Sequence, residues 1–195
     1  MFGAGSKPPF VVLGIDPGVS RCGYGAVRRQ RSSLEALACG VVRTAPGDPL
    51  AERLAILEAE LEAIVAEHRP AALAVERVLF QANTRTAMSV GQASGLALAV
   101  AARAGVPVTH YSPNEVKLAV AGDGAAGKEQ VQAMVARLLR LAEPPRPADA
   151  ADALALAVCH AWSGPLRAVR PESPRSATPG LARAVAAALA REGAR

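Results

Sequence analysis

Phe10-Val11-Val12-Leu13-Gly14-Ile15-Asp16-Pro17-Gly18 is the stretch that decides how this chain is read. An unbroken apolar run ending on an acid and a Pro-Gly turn predicts a buried strand with Asp16 at its exit. A carboxylate there is desolvated unless something pairs with it. The pattern recurs at Ala71-Ala72-Leu73-Ala74-Val75-Glu76, a short, wholly apolar strand typical of a parallel-sheet centre. A third acidic feature is Asp149 and Asp152, three apart at the head of an Ala- and Leu-rich helix and so on one face. Four oxygen donors from three elements suit a hard divalent cation such as Mg2+ or Mn2+.

Each acid also has a plainer reading. Asp-Pro-Gly is a common turn, Arg77 follows Glu76 and could neutralise it, and Asp149 and Asp152 favour the positive end of a helix. Taken together the plain readings need four independent accidents, whereas a shared cation needs one.

Around these acids the order of elements is legible. Gly23–Arg29 and Leu34–Arg43 have strand-like patterns and, with Phe10–Asp16, predict an antiparallel three-stranded meander. Asp48 as N-cap and Pro49 at the first helical position predict a helix to about His68, with Leu50, Leu54, Leu57, Leu61 and Ile64 on one stripe. Further helices are predicted near Asn83–Ala104, Pro113–Ala121, Lys128–Leu141 and Asp149–Trp162, with a strand at Val106–His110 and a flexible link at Gly122–Gly127. The expected fold is α/β, a mixed five-stranded sheet with three antiparallel strands followed by two parallel ones, flanked by helices. Right-handed crossovers set the Asp16 and Glu76 strands side by side and parallel, so both acids leave the sheet at one edge. Gly91 and Gly95 put small residues at i and i+4 of the long helix, which permits close packing inside the monomer or across a dimer axis.

Composition narrows the class. The 195 residues suit one domain with a sizeable core, and half of them are hydrophobic, which excludes a disordered chain. The net charge of +5 is uneven: residues 163–195 hold six basic and two acidic side chains. We therefore expect an extension at 1–9, a folded domain at 10–162 and a basic, Pro- and Ala-rich mobile tail at 163–195. Lysine is confined to Lys7, Lys117 and Lys128. Three cysteines without metal-ligand spacing argue against a disulfide framework and fit a reducing, cytoplasmic setting. The long helix carries Ser89, Gln92, Ser94 and Arg103, too polar to span a bilayer. His160 lies eleven residues beyond Asp149, roughly 16 Å along a helix, too far to join the same cation; His68 suits a helix end and His110 a structural role.

Gly14-Ile15-Asp16-Pro17-Gly18, Gly23-Tyr24-Gly25, Ala74-Val75-Glu76, Val116-Lys117, Lys128-Glu129-Gln130-Val131 and Asp149-Ala150-Ala151-Asp152-Ala153-Leu154-Ala155, in this order and spacing from about Phe10 to Trp162, resemble the RuvC family. These are bacterial Holliday junction resolvases of the RNase H-like nuclease superfamily. The resemblance implies a homodimer that binds a four-way DNA junction and nicks two strands of like polarity symmetrically in homologous recombination and DNA repair. It implies two divalent metal ions per subunit, Mg2+ or Mn2+, and ligatable 5′-phosphate and 3′-hydroxyl ends. Asp16, Glu76, Asp149 and Asp152 match the metal-binding catalytic carboxylates, and Lys117 and Lys128 the basic residues near the scissile strand. Lys128, opening a helix, is also expected to meet phosphate with both its ammonium and the helix N-terminus. Arg85 falls at the DNA-facing start of the long helix. Where the family can carry an aromatic that stacks on a base at the junction centre, this chain has Leu79, with Phe80 beside it; either Phe80 stacks or Leu79 wedges. The branch-migration proteins RuvA and RuvB are further candidate partners.

The sequence leaves three rivals. An actin-type ATPase or sugar kinase needs a duplicated domain, and no repeat is seen in the sequence. A noncatalytic junction-binding module would keep the acids without cleavage. An RNase H-like nuclease on RNA–DNA hybrids or another substrate would share the chemistry.

Overall fold

The computed structural model describes residues 10–77 and 84–167, with side chains at all of these except 84–86 and 164–167. The backbone divides into two compact units, Met1–Gly164 and Pro165–Arg195. The first unit holds the sheet and its helices, apart from the last three residues of the final helix, which ends at Arg167.

Among the described residues, ten elements succeed one another in chain order: β1 Phe10–Asp16, β2 Arg21–Gln30, β3 Ser33–Arg43, α1 Leu50–His68, β4 Ala72–Glu76, α2 Thr84–Arg103, β5 Val108–Tyr111, α3 Pro113–Ala121, α4 Lys128–Leu139 and α5 Ala148–Arg167. They form one five-stranded sheet of order β3-β2-β1-β4-β5. β1, β2 and β3 pair antiparallel, while β4 pairs parallel to β1 and β5 parallel to β4. The expected mixed sheet is therefore present, with its central strands apolar because helices cover both faces.

Alternation along each strand assigns those faces. Leu13, Ile15, Leu73 and Val75 pack with α1 and α2. Val12 and Ala74 point the other way, into the core built with α3, α4 and α5. Asp16 follows Val12 and Gly14 in the same phase, and Glu76 follows Ala72 and Ala74. Both acids consequently belong to the α5 face. A bulge between β2 and β3 at Ala26/Val27 lets Leu34 and Ala36 join one core and Leu37 and Ala38 the other.

Helix α5 lies unusually close to the sheet. A β-carbon added at Gly14 would sit 1.9 Å from the Ala153 carbonyl oxygen, and one at Gly23 would sit 2.1 Å from that of Asp149. At Gly25 the added carbon would meet Leu154 Cγ at 2.8 Å. Gly14 and Gly25 are cross-strand partners, as are Asp16 and Gly23. This glycine floor, backed by an Ala-rich α5 that is buried from Ala153 to Ala161, is what lets the helix descend onto β1 and β2.

Three local expectations are corrected. Pro49, with ψ at 136°, is the N-cap of α1 rather than its first residue, and its carbonyl accepts from Arg53 N–H; the Asp48 side chain makes no cap bond, and its backbone instead closes a turn onto Ala45. The Gly122–Gly127 link takes a defined course: Gly122 is a left-handed cap, Asp123 Oδ1 accepts from Ala125 N–H, and Ala126 is buried in the core. β5 is Val108–Tyr111, because Pro107 has no N–H to give the ladder and its carbonyl instead accepts from Leu73. Among the described residues, no heavy atom lies within 4 Å of a β-carbon added at Gly91 or Gly95, so neither makes a close helix contact with them. No described helix is long and apolar enough to cross a membrane.

Candidate active site

Asp16 and Glu76 stand at the carboxyl ends of adjacent parallel strands, each one step beyond the paired Ile15 and Val75. Asp149 is in the first turn of α5, above Gly23, and Asp152 one turn further on. Three elements thus bring four carboxylates to one edge and one face of the sheet. Lys128, the first residue of α4, reaches the same place: its Nζ donates to Asp152 Oδ2 at 2.7 Å.

The concentration of negative charge is visible in the ionisation of Asp16. Burial, then the charges of Glu76 and Asp152, a hydrogen bond with Glu76, and Asp149 push its carboxyl from 3.8 up to about 8. Glu76 is also raised, by burial first, while its bond with Asp16 pulls it down. The two carboxyls share a hydrogen bond, and burial together with like charge raises both. Lys128 is raised by its bond to Asp152 and by the charges of Asp16 and Asp149, against some loss of hydration.

The four acids meet electrostatically without yet surrounding a common point. Among the described residues no three carboxylate, imidazole or thiolate side chains stand close enough to share one ion. The reason lies in their partners. Asp16 and Glu76 are hydrogen-bonded to each other, Asp152 is bonded to Lys128, and Asp149 Oδ2 accepts from both Nε (2.8 Å) and Nη2 of Arg21. Arg21 carries no signal in the sequence. It opens β2, in phase with Gly23 and two residues before it, so its side chain projects over the α5 face toward Asp149.

The turn between β1 and β2 is held from behind. Thr44 Oγ1 donates to the Val19 carbonyl at 2.7 Å and accepts from Arg53 Nε at 2.9 Å. Arg53 Nη2 reaches Ser20 Oγ at 2.5 Å. A guanidinium of α1 thereby fixes the loop that separates Asp16 from Arg21, a role no local pattern announced.

The remaining expected residues are scattered around this centre. Lys117 is half-buried in the second turn of α3, which leaves β5 beside Glu76; among the described residues it makes no ion pair. A capping box between Ser112 and Glu115, readable as Ser-Pro-Asn-Glu, anchors that helix. Arg85 is in the first turn of α2, and its side chain lies outside the described set. Leu79 and Phe80 lie outside the described residues. His160 is in the core, its Nδ1 2.9 Å from Tyr111 Oη and its ring stacked on Phe10. Cys22 is a buried, inert thiol pushed up to about 12 by burial.

The donor set fits a divalent cation. All four groups are hard carboxylate oxygens, and the raised carboxyls of Asp16 and Glu76 mark a place where positive charge is demanded.

Comparison with known proteins places this arrangement. The family model described as crossover junction endodeoxyribonuclease RuvC matches residues 12–160. A crossover junction endodeoxyribonuclease RuvC of Salinispora arenicola is 59% identical over 157 residues, covering 80% of this chain and 90% of that one. Its counterpart in Streptomyces griseus is 54% identical over 155 residues, covering 79% and 76%. The structure of T. thermophilus RuvC in complex with Holliday junction substrate superposes with a TM-score of 0.77 at 42% identity, covering 80% of this chain and 96% of that one. The family match takes in all four acids at the sheet edge, and the chain belongs to the RuvC family of crossover junction endodeoxyribonucleases.

Proposed function

We propose that this chain is a structure-specific endonuclease that resolves four-way DNA junctions by divalent-metal-dependent nicking. The observation that carries the reading is the meeting of Asp16, Glu76, Asp149 and Asp152 with Lys128 on one sheet edge, in a chain 42% identical to a relative solved with a Holliday junction substrate.

Asp16, Glu76, Asp149 and Asp152 are the ligands in this reading, for two ions, Mg2+ or Mn2+. Ions held by these residues would supply Lewis acidity for a water attacking phosphorus in line and for the departing 3′-oxygen. The chain supplies the rest. Asp16 and Glu76, whose carboxyls are both raised, would hold the cation in their ionised form. Lys128, with the N-terminal amides of α4 that no side chain caps, presents positive charge to the scissile phosphate. Lys117, in the second turn of α3, adds charge beside the strand. Products are a 5′-phosphate and a 3′-hydroxyl, which a ligase rejoins.

A homodimer supplies two such sites to a junction of near-twofold symmetry, so that strands of like polarity meet equivalent acids. Helix α2 is the proposed contact: Gly91 and Gly95 are open, and Met88 on the same stripe is 67% exposed. Arg85 and either Leu79 or Phe80 approach the junction centre, with RuvA and RuvB as further partners. Nuclease function is assigned to 10–162, and the basic residues of the tail 163–195 add salt-dependent phosphate contacts.

The test is cleavage of a synthetic mobile four-way junction mapped to the nucleotide, with linear duplex and RNA–DNA hybrid as competitors. Paired symmetric nicks with Mg2+ or Mn2+, and an Asp16→Asn variant that binds the junction but leaves it whole, are expected. Unchanged nicking by Asp16→Asn removes that acid from the metal site.

A further inference from the structure

Arg21 is the one basic side chain bonded to Asp149 among the described residues, and the carboxylate it bonds is one of the four that must converge on metal. Its Nε and Nη2 converge on the single oxygen Oδ2, leaving the carboxylate held from one side. The partner is not a chance surface neighbour. Arg21 and Asp149 are 128 residues apart in the chain, and β2 delivers the guanidinium beside Gly23, where the α5 backbone touches the sheet. The Thr44–Arg53–Ser20 network fixes the turn that feeds it. With Arg21 on Asp149 and Lys128 on Asp152, both acids of α5 have a basic side-chain partner.

We propose that Arg21 is a built-in counter-ion of the metal-free site: it holds Asp149 away from the other carboxylates and is displaced when a divalent cation binds. The role rests on the metal reading given above and deepens it. Charge alone has two consequences here. The guanidinium competes with the cation for Asp149, and its positive charge repels the cation, so intrinsic metal affinity is weaker than four carboxylates alone would give. Displacement also leaves a freed guanidinium at the mouth of the loaded site, so loading and an increase in exposed positive charge are one event.

The experiment is calorimetric titration of Mn2+ into the full chain without DNA, for the native sequence, Arg21→Gln, Arg21→Lys and Asp16→Asn. An exposed ion pair is worth ~0.2–1 kcal/mol, which converts to Mn2+ binding tighter by about 1.5- to fivefold in Arg21→Gln. Arg21→Lys, which keeps the charge, is expected to stay close to the native affinity. The difference should shrink as salt rises. Unchanged or weaker Mn2+ binding by Arg21→Gln, with native binding intact, overturns the counter-ion role and leaves the metal site standing. A lysine variant that binds as tightly as Arg21→Gln does the same. Native protein that binds no Mn2+, or binds it as well after Asp16→Asn, overturns the metal reading itself and the counter-ion role with it. Arg21 is 46% exposed, so the substitutions leave the core untouched, and a thermal melt of each variant verifies folding.

Discussion

Asp16 is the residue on which burial and like charge press hardest. Its carboxyl is harder to ionise in the folded chain than in the unfolded one, so the folded state binds the proton more tightly. The stability this proton contributes is complete below 3.8 and is lost as pH rises to about 8. Metal-free protein should therefore melt at progressively lower temperature across that interval, with Mg2+ or Mn2+ opposing the loss at the alkaline end. Asp16→Asn, which keeps a polar group without the charge, should flatten the metal-free profile and abolish the metal-dependent rescue. Thermal melts at stepped pH, with and without Mn2+, measure both. An Asp16→Asn profile as steep as the native one would show that the destabilising charge resides elsewhere. Glu76 is raised as well, so its contribution falls in the same direction as pH rises.

Among elements, α5 decides the site. It supplies two of the four acids and lies on the sheet so closely that only hydrogen fits at Gly14 and Gly23. Gly14→Ala places a methyl against the backbone oxygen of Ala153, which cannot swing aside as a side chain can. The helix must lift, at a cost of about 1–3 kcal/mol or more. Because Asp149 and Asp152 ride on that helix, Mn2+ affinity should fall together with the denaturant midpoint. Gly47→Ala, with nothing within 4 Å, is the control and should change neither. Chemical denaturation beside Mn2+ titration tests the coupling; a Gly14→Ala protein with native metal affinity would dissociate helix height from site geometry. The same element scale explains where local reading stopped short. Asp-Pro is a sound helix-start pattern, yet the extended ψ of Pro49 moves the cap by one residue. Glycine-rich 122–127 reads as loose, yet Ala126 is recruited into the core.

At the scale of the whole molecule, the proposed dimer gives the junction two sites. The α2 stripe of Met88, Gly91 and Gly95 has no neighbour against its glycines among the described residues. Replacing Gly91 and Gly95 together by Arg adds two long charged side chains to a face with open space over both glycines, so the monomer should fold normally. Sedimentation should then show a shift from dimer to monomer, and cleavage should change from paired nicks to single, uncoordinated ones. A double variant that still sediments as a dimer would move the interface elsewhere.

What the sequence determined by itself is whatever short-range patterning controls. The apolar runs ending at Asp16 and Glu76 named two central strands and their exits. The 3.6-residue stripes named the helices, and crossover handedness set β1 beside β4. The three-residue spacing put Asp149 and Asp152 on one helical face. Only the tertiary structure decided how those acids are held. The glycine floor under α5, the Arg53 brace behind the turn, and the pairing of Arg21 with Asp149 each depend on parts of the chain that local patterning does not connect. Such contacts arise from where whole elements come to rest, and neither strand alternation nor helical period carries that information. Charge completes the division: the chain spells out four acids, but the raised carboxyl of Asp16 and the pairing of Asp152 with Lys128 and of Asp149 with Arg21 arise from burial and proximity that exist only in the folded state.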